Sequence, residues 1–258
     1  MKLSVIVPSI RPGNLKRLYE SVQKAYSGEF EFIIIGPYDL PKYFGDKTNA
    51  KLIKDHGSPV RAQQIGIVNA IGDYVLWGMA DDGYLFPGTV DLALNSLESE
   101  DYKTLVIGKY YEGSENPFMN SRKYYQINTH NGSRSRYILN ECLMFMVGVI
   151  PRKLLVEIGG LDCEKFEALP MAFNDISVRL SNMNCKFLFQ EQIMFRCSHM
   201  PGHLGDHKPI HEAQINRDQP MFLKIYNDPE SLRRTTIDIE NWKKASERWK
   251  ERFGDVQS

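Results

Sequence analysis

The chain opens with short continuous runs of apolar residues that alternate with amphipathic stretches. The runs at 3–7, 30–35 and 74–79 are rich in β-branched and aromatic residues, as strands covered on both faces usually are. After each run comes a stretch whose apolar residues recur at helical spacing. The first hundred residues therefore predict three βα units, and the whole chain predicts an α/β fold with a mostly parallel central sheet flanked by helices.

Residue types at the ends of the amphipathic stretches support this division. Asn14 is suited to cap a helix that runs to about Tyr26. Ser58 and Pro59 form a strong helix start, with serine as the cap and proline in the first turn. Pro87 opens the next helix in the same way. These signals place a helix after each predicted strand.

The second half of the chain is less regular. A strand is predicted at 105–108, but residues 110–137 lose periodicity and become polar and aromatic, which is typical of a functional or mobile loop. An apolar run at 143–150 then leads into a short helix that Gly159 and Gly160 end. The remaining predicted elements are a helix beginning at or near 174–176 and short strands at 187–189 and 193–195.

The C-terminal segment, about 231–253, is predicted to be mostly helical. Its apolar stripe consists of Trp242, Ala245, Trp249 and Phe253. Such a stripe predicts a helix packed back on the domain, and the alternative is a contact with a second copy of the chain or with a membrane surface. Because no linker divides the chain, we expect one catalytic domain over 1–226, with halves 1–108 and 109–226, and a C-terminal helical extension over 227–258.

Composition narrows the class of protein. With 258 residues and 42% hydrophobic content, the chain can bury a full core. The 32 basic residues balance the 32 acidic ones, which argues against a nucleic-acid partner. No stretch approaches the roughly 18 apolar residues of a membrane span, so a cytoplasmic protein without a transmembrane segment is expected. The four cysteines are widely spaced and predict reduced core thiols: Cys142, Cys163, Cys185 and Cys197.

The third apolar run ends in two adjacent carboxylates, Asp81 and Asp82. Ligands of open α/β sheets collect beyond the carboxyl ends of the strands, so this is where a site is expected. Hard oxygen ligands together with substrate phosphates are the usual way of holding Mg²⁺ or Mn²⁺. The structural alternative is an acidic turn, because Asp-Asp-Gly is also good turn chemistry.

The order of the motifs resembles the GT-A glycosyltransferases of the family 2 type over roughly residues 2–226. In that family the first strand leads into a nucleotide-binding loop, and a later strand leads into an Asp-x-Asp motif. A Gly-Gly-Phe-Asp segment and a Glu-Asp-x-Asp segment follow. The segments of this chain that carry the likeness are 3–9, 62–67, 70–76, 80–82, 159–162 and 174–177.

The resemblance implies an inverting glycosyltransferase. It would move a sugar from a nucleoside-diphosphate donor to a hydroxyl of a glycan, lipid-linked or protein acceptor. By resemblance to the family, the nucleotide of the donor is expected to be UDP. It implies a divalent ion, Mn²⁺ or Mg²⁺, bound by Asp82, and it implies Asp175 as the general base. The donor contacts that it implies are Pro8, Ser9, Arg11, Tyr38, Asp39, Arg61, Asp81 and Asp82.

Several positions depart from the family pattern. Ala80 stands where the first aspartate of Asp-x-Asp is usual, and Asn174 stands in place of glutamate. The usual Asp-Asp-Gly-Ser after the second strand is replaced by 36–39, so that Tyr38 is left to stack on the base and Asp39 to accept from its N–H. Gln63 and Gln64 replace Arg-Asn, which leaves Arg61 as the nearest cation for base or phosphates.

Four histidines recur at a spacing of four: His199, His203, His207 and His211. On a helix this spacing would make a zinc-binding face. Pro201, Gly202 and Gly205 interrupt a helix there, so a loop is expected. In the family that the chain resembles, such a loop supplies a histidine to the metal, and His199 and His203 are the candidates.

Two other functions stay open. The first is a sugar nucleotidyltransferase, whose phosphate-binding loop is usually rich in glycine and basic residues; only Arg11, Gly13, Lys16 and Arg17 point that way. The second is a catalytically inactive nucleotide-sugar-binding module, which Ala80 and Asn174 suggest. A homo-oligomer is compatible with each of these functions.

Overall fold

The protein is described by a computed structural model over residues 2–112, 122–124, 147–197 and 208–245. Its strands are Leu3–Pro8 (β1), Phe30–Gly36 (β2), Ala50–Lys54 (β3), Tyr74–Trp77 (β4), Gly83–Leu85 (β5), Thr104–Glu112 (β6), Arg122–Tyr124 (β7), Gly148–Pro151 (β8) and Lys186–Cys197 (β9). Its α-helices are Leu15–Ala25 (α1), Pro59–Asn69 (α2), Thr89–Asn95 (α3), Arg152–Ile158 (α4), Leu169–Asn182 (α5), Lys208–Ala213 (α6) and Gln219–Tyr226 (α7), and a π-helical turn, Gln214–Asp218, joins the last two.

All the strands of the described residues belong to one sheet, in the order β3-β2-β1-β4-β8-β6-β9-β5, with β7 paired to β6. Neighbours among β3, β2, β1 and β4 are parallel, and β8 runs antiparallel between β4 and β6. The carboxyl ends of β1, β2 and β4 therefore meet at one edge of the sheet. This edge carries the loops in which most donor contacts were predicted.

Helices cover both faces of the sheet, which explains the continuous apolar runs. Along β1 the side chains alternate, so that Ile6 packs with α2, α4 and α5 while Val5 and Val7 pack with α1 and α3. Gly66 of α2 lies so close to the sheet that a Cβ there would be 2.2 Å from Ile6 Cγ2. The predicted α/β fold class is confirmed, and helices follow near the C-terminus.

Two predicted helix ends, the start of α2 and the end of α4, are confirmed by their geometry. Ser58 caps α2 by accepting a hydrogen bond from the Arg61 N–H at 3.2 Å, and Pro59 lies in the first turn. Gly159 ends α4 with a positive φ of 82°, a conformation that glycine adopts without steric cost. Asn14 differs from the prediction, because a 3-10 turn precedes α1 and the Asn14 side chain makes no capping bond.

Other elements differ from the sequence-based expectation. The short strand β3 was not predicted, because it is a half-exposed edge strand with lysines at both Lys51 and Lys54. The two strands predicted at 187–189 and 193–195 are one strand, β9, whose pairing with β6 is irregular between Ile107 and Tyr110. Helix α5 begins at Leu169 rather than near 174–176, so those residues lie in its middle.

The C-terminal segment is less helical than predicted within the described residues. Between 231 and 245 it contains only the 3-10 turns Ser231–Arg233 and Asn241–Lys243. Trp242 and Ala245 pack against the core, as the arrangement packed back on the domain predicts. Trp249, Phe253 and most of the loop predicted at 110–137 lie outside the described residues. Each helix that is described is too short or too polar to cross a bilayer.

Candidate functional site

The site is built where β4 leaves the sheet. Gly78 turns the chain with a φ of +75° directly after Trp77, and the Gly83 N–H closes the next turn on the Ala80 carbonyl at 3.1 Å. The chain then enters β5, which pairs with the end of β9. At Gly83 a Cβ would be 2.0 Å from the Phe195 ring, so this glycine allows the close approach. The turn presents Asp81 and Asp82 at the carboxyl edge of the sheet.

Asp81 ties this turn to the loop after β1. Its Oδ2 accepts hydrogen bonds from Ser9 Oγ at 2.9 Å and from the backbone N–H groups of Ile10 and Arg11 at 2.9 and 2.8 Å. Its Oδ1 lies 2.6 Å from Arg11 Nη1. Asp81 is 3% exposed, so its role at the site is to hold the loop after β1 against the turn after β4. Burial raises the pKa of the Asp81 carboxyl above its ordinary value, and this outweighs the lowering by the Arg11 guanidinium and the backbone N–H groups.

Tyr38 continues this hydrogen-bonded chain. Its hydroxyl donates to Ser9 Oγ, which in turn donates to Asp81. Burial raises the pKa of the Tyr38 phenol, and the charge on Asp81 raises it further, although the hydrogen bond with Ser9 lowers it. The ring is only 7% exposed, so it lines the loop after β1 instead of offering the open face that stacking on a base requires.

Asp39 lies apart from this chain of contacts. Its side chain is 90% exposed and pairs with Lys54 Nζ at 2.5 Å. Pro8, the last residue of β1, ends at the site edge beside β2. The structure therefore brings Pro8, Ser9, Arg11 and Tyr38 together with the two aspartates, and it leaves Asp39 on the surface.

Asp82 is the more accessible of the two aspartates. Its side chain is 12% exposed, and its Oδ2 lies 3.6 Å from Arg11 Nη1. The Cys197 thiol donates to its Oδ1 at 3.0 Å, and Arg17 donates to its backbone carbonyl at 3.2 Å. Arg17 also lies over the Tyr84 ring, 4.9 Å from the centroid. The carboxylate thus has a thiol on one side and a guanidinium on the other.

The described residues offer a divalent ion a single carboxylate. Asp82 can supply an oxygen ligand, whereas Asp81 is occupied by hydrogen bonds. Within the described ranges, no three histidine, cysteine, aspartate or glutamate side chains converge on one point. His199 and His203 lie outside the described residues. One carboxylate with an adjacent guanidinium fits a weakly held ion better than an all-protein metal cage.

Asp175 is enclosed in the packing of α5 against α7. Its Oδ2 accepts from Arg179 Nε at 2.8 Å and its Oδ1 accepts from the Tyr226 hydroxyl at 2.7 Å, with Arg234 Nη1 at 3.5 Å. The residue is 0% exposed. Burial and the neighbouring Asp175 carboxylate raise the pKa of Tyr226, so that its phenol donates to this carboxylate.

This environment does not suit the role predicted for Asp175. A general base must hydrogen-bond the hydroxyl that it deprotonates, and here both carboxylate oxygens are engaged inside the protein. Asp175 also lies in the middle of α5 and not near a helix start, where the sequence placed it.

Arg61 is also engaged elsewhere. Its Nε contacts Asp55 Oδ1 at 2.9 Å, and its Nη1 donates to the backbone carbonyls of Trp242 and of Ala245, the latter at 2.8 Å. Its guanidinium carbon lies 5.5 Å from the centroid of the Trp242 ring. These contacts attach the C-terminal segment to α2. The expectation that Arg61 is available for the donor phosphates finds no support in them.

Two contacts were not indicated by the sequence: Cys197 with Asp82, and Tyr226 with Asp175. Cys197 reaches Asp82 through the pairing of β5 with β9, and no local pattern indicates that pairing. Tyr226 reaches Asp175 from α7, across 51 positions of the chain. The three cysteines in the described residues, Cys163, Cys185 and Cys197, are buried thiols outside any disulfide, as predicted.

Comparison with known proteins rests on structure alone. No protein-family model matches the chain, and no curated protein matches it in sequence. Staphylococcus aureus TarS 1–349 in complex with UDP matches with a TM-score of 0.54 at 15% identity, over 100% of this chain and 92% of that one. Against a longer TarS chain the TM-score is 0.50 at 17% identity, over 84% of this chain but only 40% of TarS.

Other solved structures give the same result. The mannosyltransferase PcManGT from Pyrobaculum calidifontis, in complex with GDP-Man and Mn²⁺, has a TM-score of 0.55 at 11% identity, covering 93% of this chain and 68% of that one. Glucosyl-3-phosphoglycerate synthase from Mycobacterium tuberculosis has a TM-score of 0.52 at 12% identity, covering 84% and 80%. The chain therefore has the GT-A fold of nucleotide-sugar glycosyltransferases.

Proposed function

We propose that this protein is a glycosyltransferase that moves a sugar from a nucleoside-diphosphate sugar to an acceptor hydroxyl. One observation carries the proposal: the loop after β1 and the turn after β4 are joined through Asp81 at the carboxyl edge of the sheet, where α/β folds bind their ligands. TarS with UDP and PcManGT with GDP-Man have the same fold, which supports a nucleoside diphosphate as the leaving group.

The charges at this edge suit such a leaving group. Departure of a nucleoside diphosphate develops negative charge, and fixed cations near the phosphates stabilise it. Arg11 and Arg17 flank the Asp81–Asp82 turn. PcManGT binds Mn²⁺, which supports a divalent ion here; Asp82 would hold it, with His199 or His203 as the further predicted ligands. When bound, such an ion supplies additional positive charge to the diphosphate.

Inversion of the anomeric centre remains part of the proposal by resemblance to family 2. It requires an acceptor hydroxyl to approach the donor from the face opposite the diphosphate. We assign no described residue as the base for that step, because the contacts of Asp175 enclose it. Contacts to the acceptor are expected from the two segments 110–137 and 163–173.

A binding panel tests the donor class. We expect UDP, GDP, UDP-glucose and GDP-mannose, each with and without Mn²⁺, to separate into stabilising and neutral ligands in a thermal-shift assay. A nucleotide at about 100 times its dissociation constant adds about 2.7 kcal/mol of stability, or roughly 5–10 °C in Tm for a domain of this size. UMP and GMP are matched controls that lack the second phosphate. If no nucleoside diphosphate shifts the transition, the proposal is wrong.

The enclosure of Asp175 favours one alternative, a nucleotide-sugar-binding module without transfer activity. Both functions predict the same thermal shifts, so a second assay is needed. Release of free UDP or GDP from the stabilising donor, followed with and without an acceptor mixture, distinguishes them. Turnover supports the transferase, whereas binding without any release over long incubation supports the module.

A further inference from the structure

Arg11, in the loop after β1, contacts both aspartates of the turn after β4. A single atom of its guanidinium, Nη1, lies 2.6 Å from Asp81 Oδ1 and 3.6 Å from Asp82 Oδ2. One positive charge therefore faces both carboxylates of the turn. The Arg11 side chain is 24% exposed, so its approach to the turn is open to solvent on one side.

The two contacts of Arg11 differ in strength. The backbone N–H of Arg11 and its guanidinium both bind Asp81, so that pair is held at two points. The contact with Asp82 is longer and involves the more exposed carboxylate. We therefore expect Arg11 to stay on Asp81 and to give up Asp82 more readily when another cation or an anion arrives.

We propose that Arg11 acts as a resident cation at the Asp81–Asp82 turn and competes with a divalent metal ion for Asp82. The competition itself is a property of the unliganded protein. Only its role in donor binding rests on the proposed function. A metal ion bound to Asp82 Oδ2 would lie within a few ångströms of the Arg11 guanidinium. Even at the dielectric constant of water, repulsion between a double and a single charge about 4 Å apart weakens binding by about 30-fold.

The proposal gives Arg11 a place in the order of events. In the free protein its positive charge offsets part of the negative charge of the turn, so the site does not depend on a metal ion to keep two adjacent carboxylates together. We expect the guanidinium to bind the phosphates of a nucleoside diphosphate more strongly than it binds Asp82, because Arg–phosphate hydrogen bonds are charge-assisted and often bidentate. Transfer of Arg11 to the phosphates would release Asp82, and metal binding is then coupled to nucleotide binding, with equal and reciprocal effects on the two affinities.

The test measures Mn²⁺ affinity directly, without nucleotide and without catalysis. Metal-free wild type, Arg11→Gln and Arg11→Lys are titrated with Mn²⁺, and free Mn²⁺ is followed by electron paramagnetic resonance. We expect Arg11→Gln to bind Mn²⁺ at least about tenfold more tightly than wild type, and Arg11→Lys to resemble wild type because it keeps the charge. Equal affinities in wild type and Arg11→Gln would overturn the proposal.

Two controls assign the effect to this site. Arg217→Gln removes a matched guanidinium, whose side chain is 27% exposed and also faces two carboxylates, Glu167 at 3.3 Å and Asp218 at 3.1 Å; its Mn²⁺ affinity should equal that of wild type. Adding Asp82→Asn to Arg11→Gln should abolish the gain. A gain that survives Asp82→Asn would place the metal elsewhere and overturn the proposal.

A second measurement covers the case in which Arg11→Gln does not fold. In nucleotide-free wild type the proposal expects Arg11 to leave Asp82 only a weak ligand for Mn²⁺, so Asp82→Asn should lower the Mn²⁺ affinity by less than about tenfold; a larger loss on this substitution would contradict it. The same preparations are titrated with UDP and GDP. Failure of both nucleotides to bind contradicts the proposed function while leaving the comparison of Mn²⁺ affinities fully interpretable.

Discussion

Two aspartate–arginine ion pairs with nearly equal N–O distances lie in different surroundings. Asp81 and Arg11 are joined at 2.6 Å and Asp175 and Arg179 at 2.8 Å. The Arg11 side chain is 24% exposed and joins two loops that are 70 positions apart. The Arg179 side chain is 0% exposed and pairs within one helix. The difference separates a contact that solvent reaches from one that is part of the packing.

The remaining bonds of each arginine make the same distinction. Arg179 donates to the backbone carbonyls of Ile158 and Gly160 at 2.8 and 2.6 Å, so that, with the bond from Nε to Asp175, all three nitrogens of its guanidinium are engaged inside the protein. Arg11 faces the second aspartate of its turn at a looser 3.6 Å. Motif order ranked Asp175 as the catalytic residue, whereas the surroundings favour the Asp81–Asp82 turn as the reactive part.

The largest effect is expected from Asp175→Asn. Removing one partner of a fully buried ion pair leaves the other charge uncompensated, at a cost of about 3–5 kcal/mol. Urea unfolding should show this loss, and donor turnover per folded molecule should fall by less than about tenfold. A stable variant whose turnover falls by about 10²–10⁴, as loss of a general base would cause, would reverse the comparison and restore Asp175 to catalysis.

A smaller and pH-dependent loss is expected from Arg11→Gln. Without the guanidinium, the buried Asp81 carboxylate lacks its charged partner, which costs about 1–3 kcal/mol near neutral pH. The folded pKa of Asp81 is already raised by burial, and loss of Arg11 raises it further.

The sign of this pH dependence follows from the raised pKa. Folding then favours the protonated carboxyl, so the stability that this group contributes is fully present below its unfolded pKa of about 3.9 and is lost as the pH rises through the folded value. The deficit of Arg11→Gln should therefore shrink on acidification. Urea unfolding at neutral and acidic pH measures it, and a deficit that grows in acid would contradict the assignment.

Tyr38→Phe should have a more modest effect on the Asp81 side of the comparison. It removes the hydroxyl that donates to Ser9 Oγ beneath Asp81, and one hydrogen bond of this kind is worth about 1 kcal/mol. Thermal unfolding measures the loss. Affinity for the stabilising nucleotide should change little, because the ring is buried; a loss of about tenfold or more would instead support the predicted stacking of Tyr38 on the base.

The smallest effect is expected from Asp39→Asn. Exposed ion pairs contribute about 0–1 kcal/mol, and the Asp39 side chain is 90% exposed beside Lys54. Unfolding and nucleotide titration should both match wild type closely. Weakened binding of UDP or GDP by this variant would show that Asp39 reads the base, as the sequence predicts, and would extend the site beyond the Asp81–Asp82 turn.

The parts of the fold that were predictable are those in which a strand is covered on both faces. The runs that became β1, β2 and β4 are continuously apolar because helices pack on both sides. The edge strand β3 has exposed and half-buried residues with two lysines, and this pattern resembles a loop. Strands in the middle of the sheet were therefore recognisable from the sequence, whereas the strand at its edge was not.

The site was predicted in position but only partly in contacts. Adjacent carboxylates after a buried strand located the turn, because parallel strands bring their carboxyl ends together. The partners of Asp81 and Asp82 come from the loop after β1 and from the end of β9, and only the folded sheet joins those segments. For Asp175 a usable signal was present: Pro170 near the start of α5 marks a helix start that precedes the aspartate by more than a turn.

The bonds from α2 to the C-terminal segment bear on where the chain can be shortened. Gln64 Nε2 donates to the carbonyl of Ile239 at 2.8 Å, and Arg61 donates to that of Ala245 at the same distance. The Asn241 amide oxygen accepts from the Cys163 N–H at 3.0 Å. Truncation after residue 226 would therefore remove hydrogen-bond acceptors from the buried side chains of Arg61 and Gln64. Residues 227–245 are thus packed as a structural part of the domain.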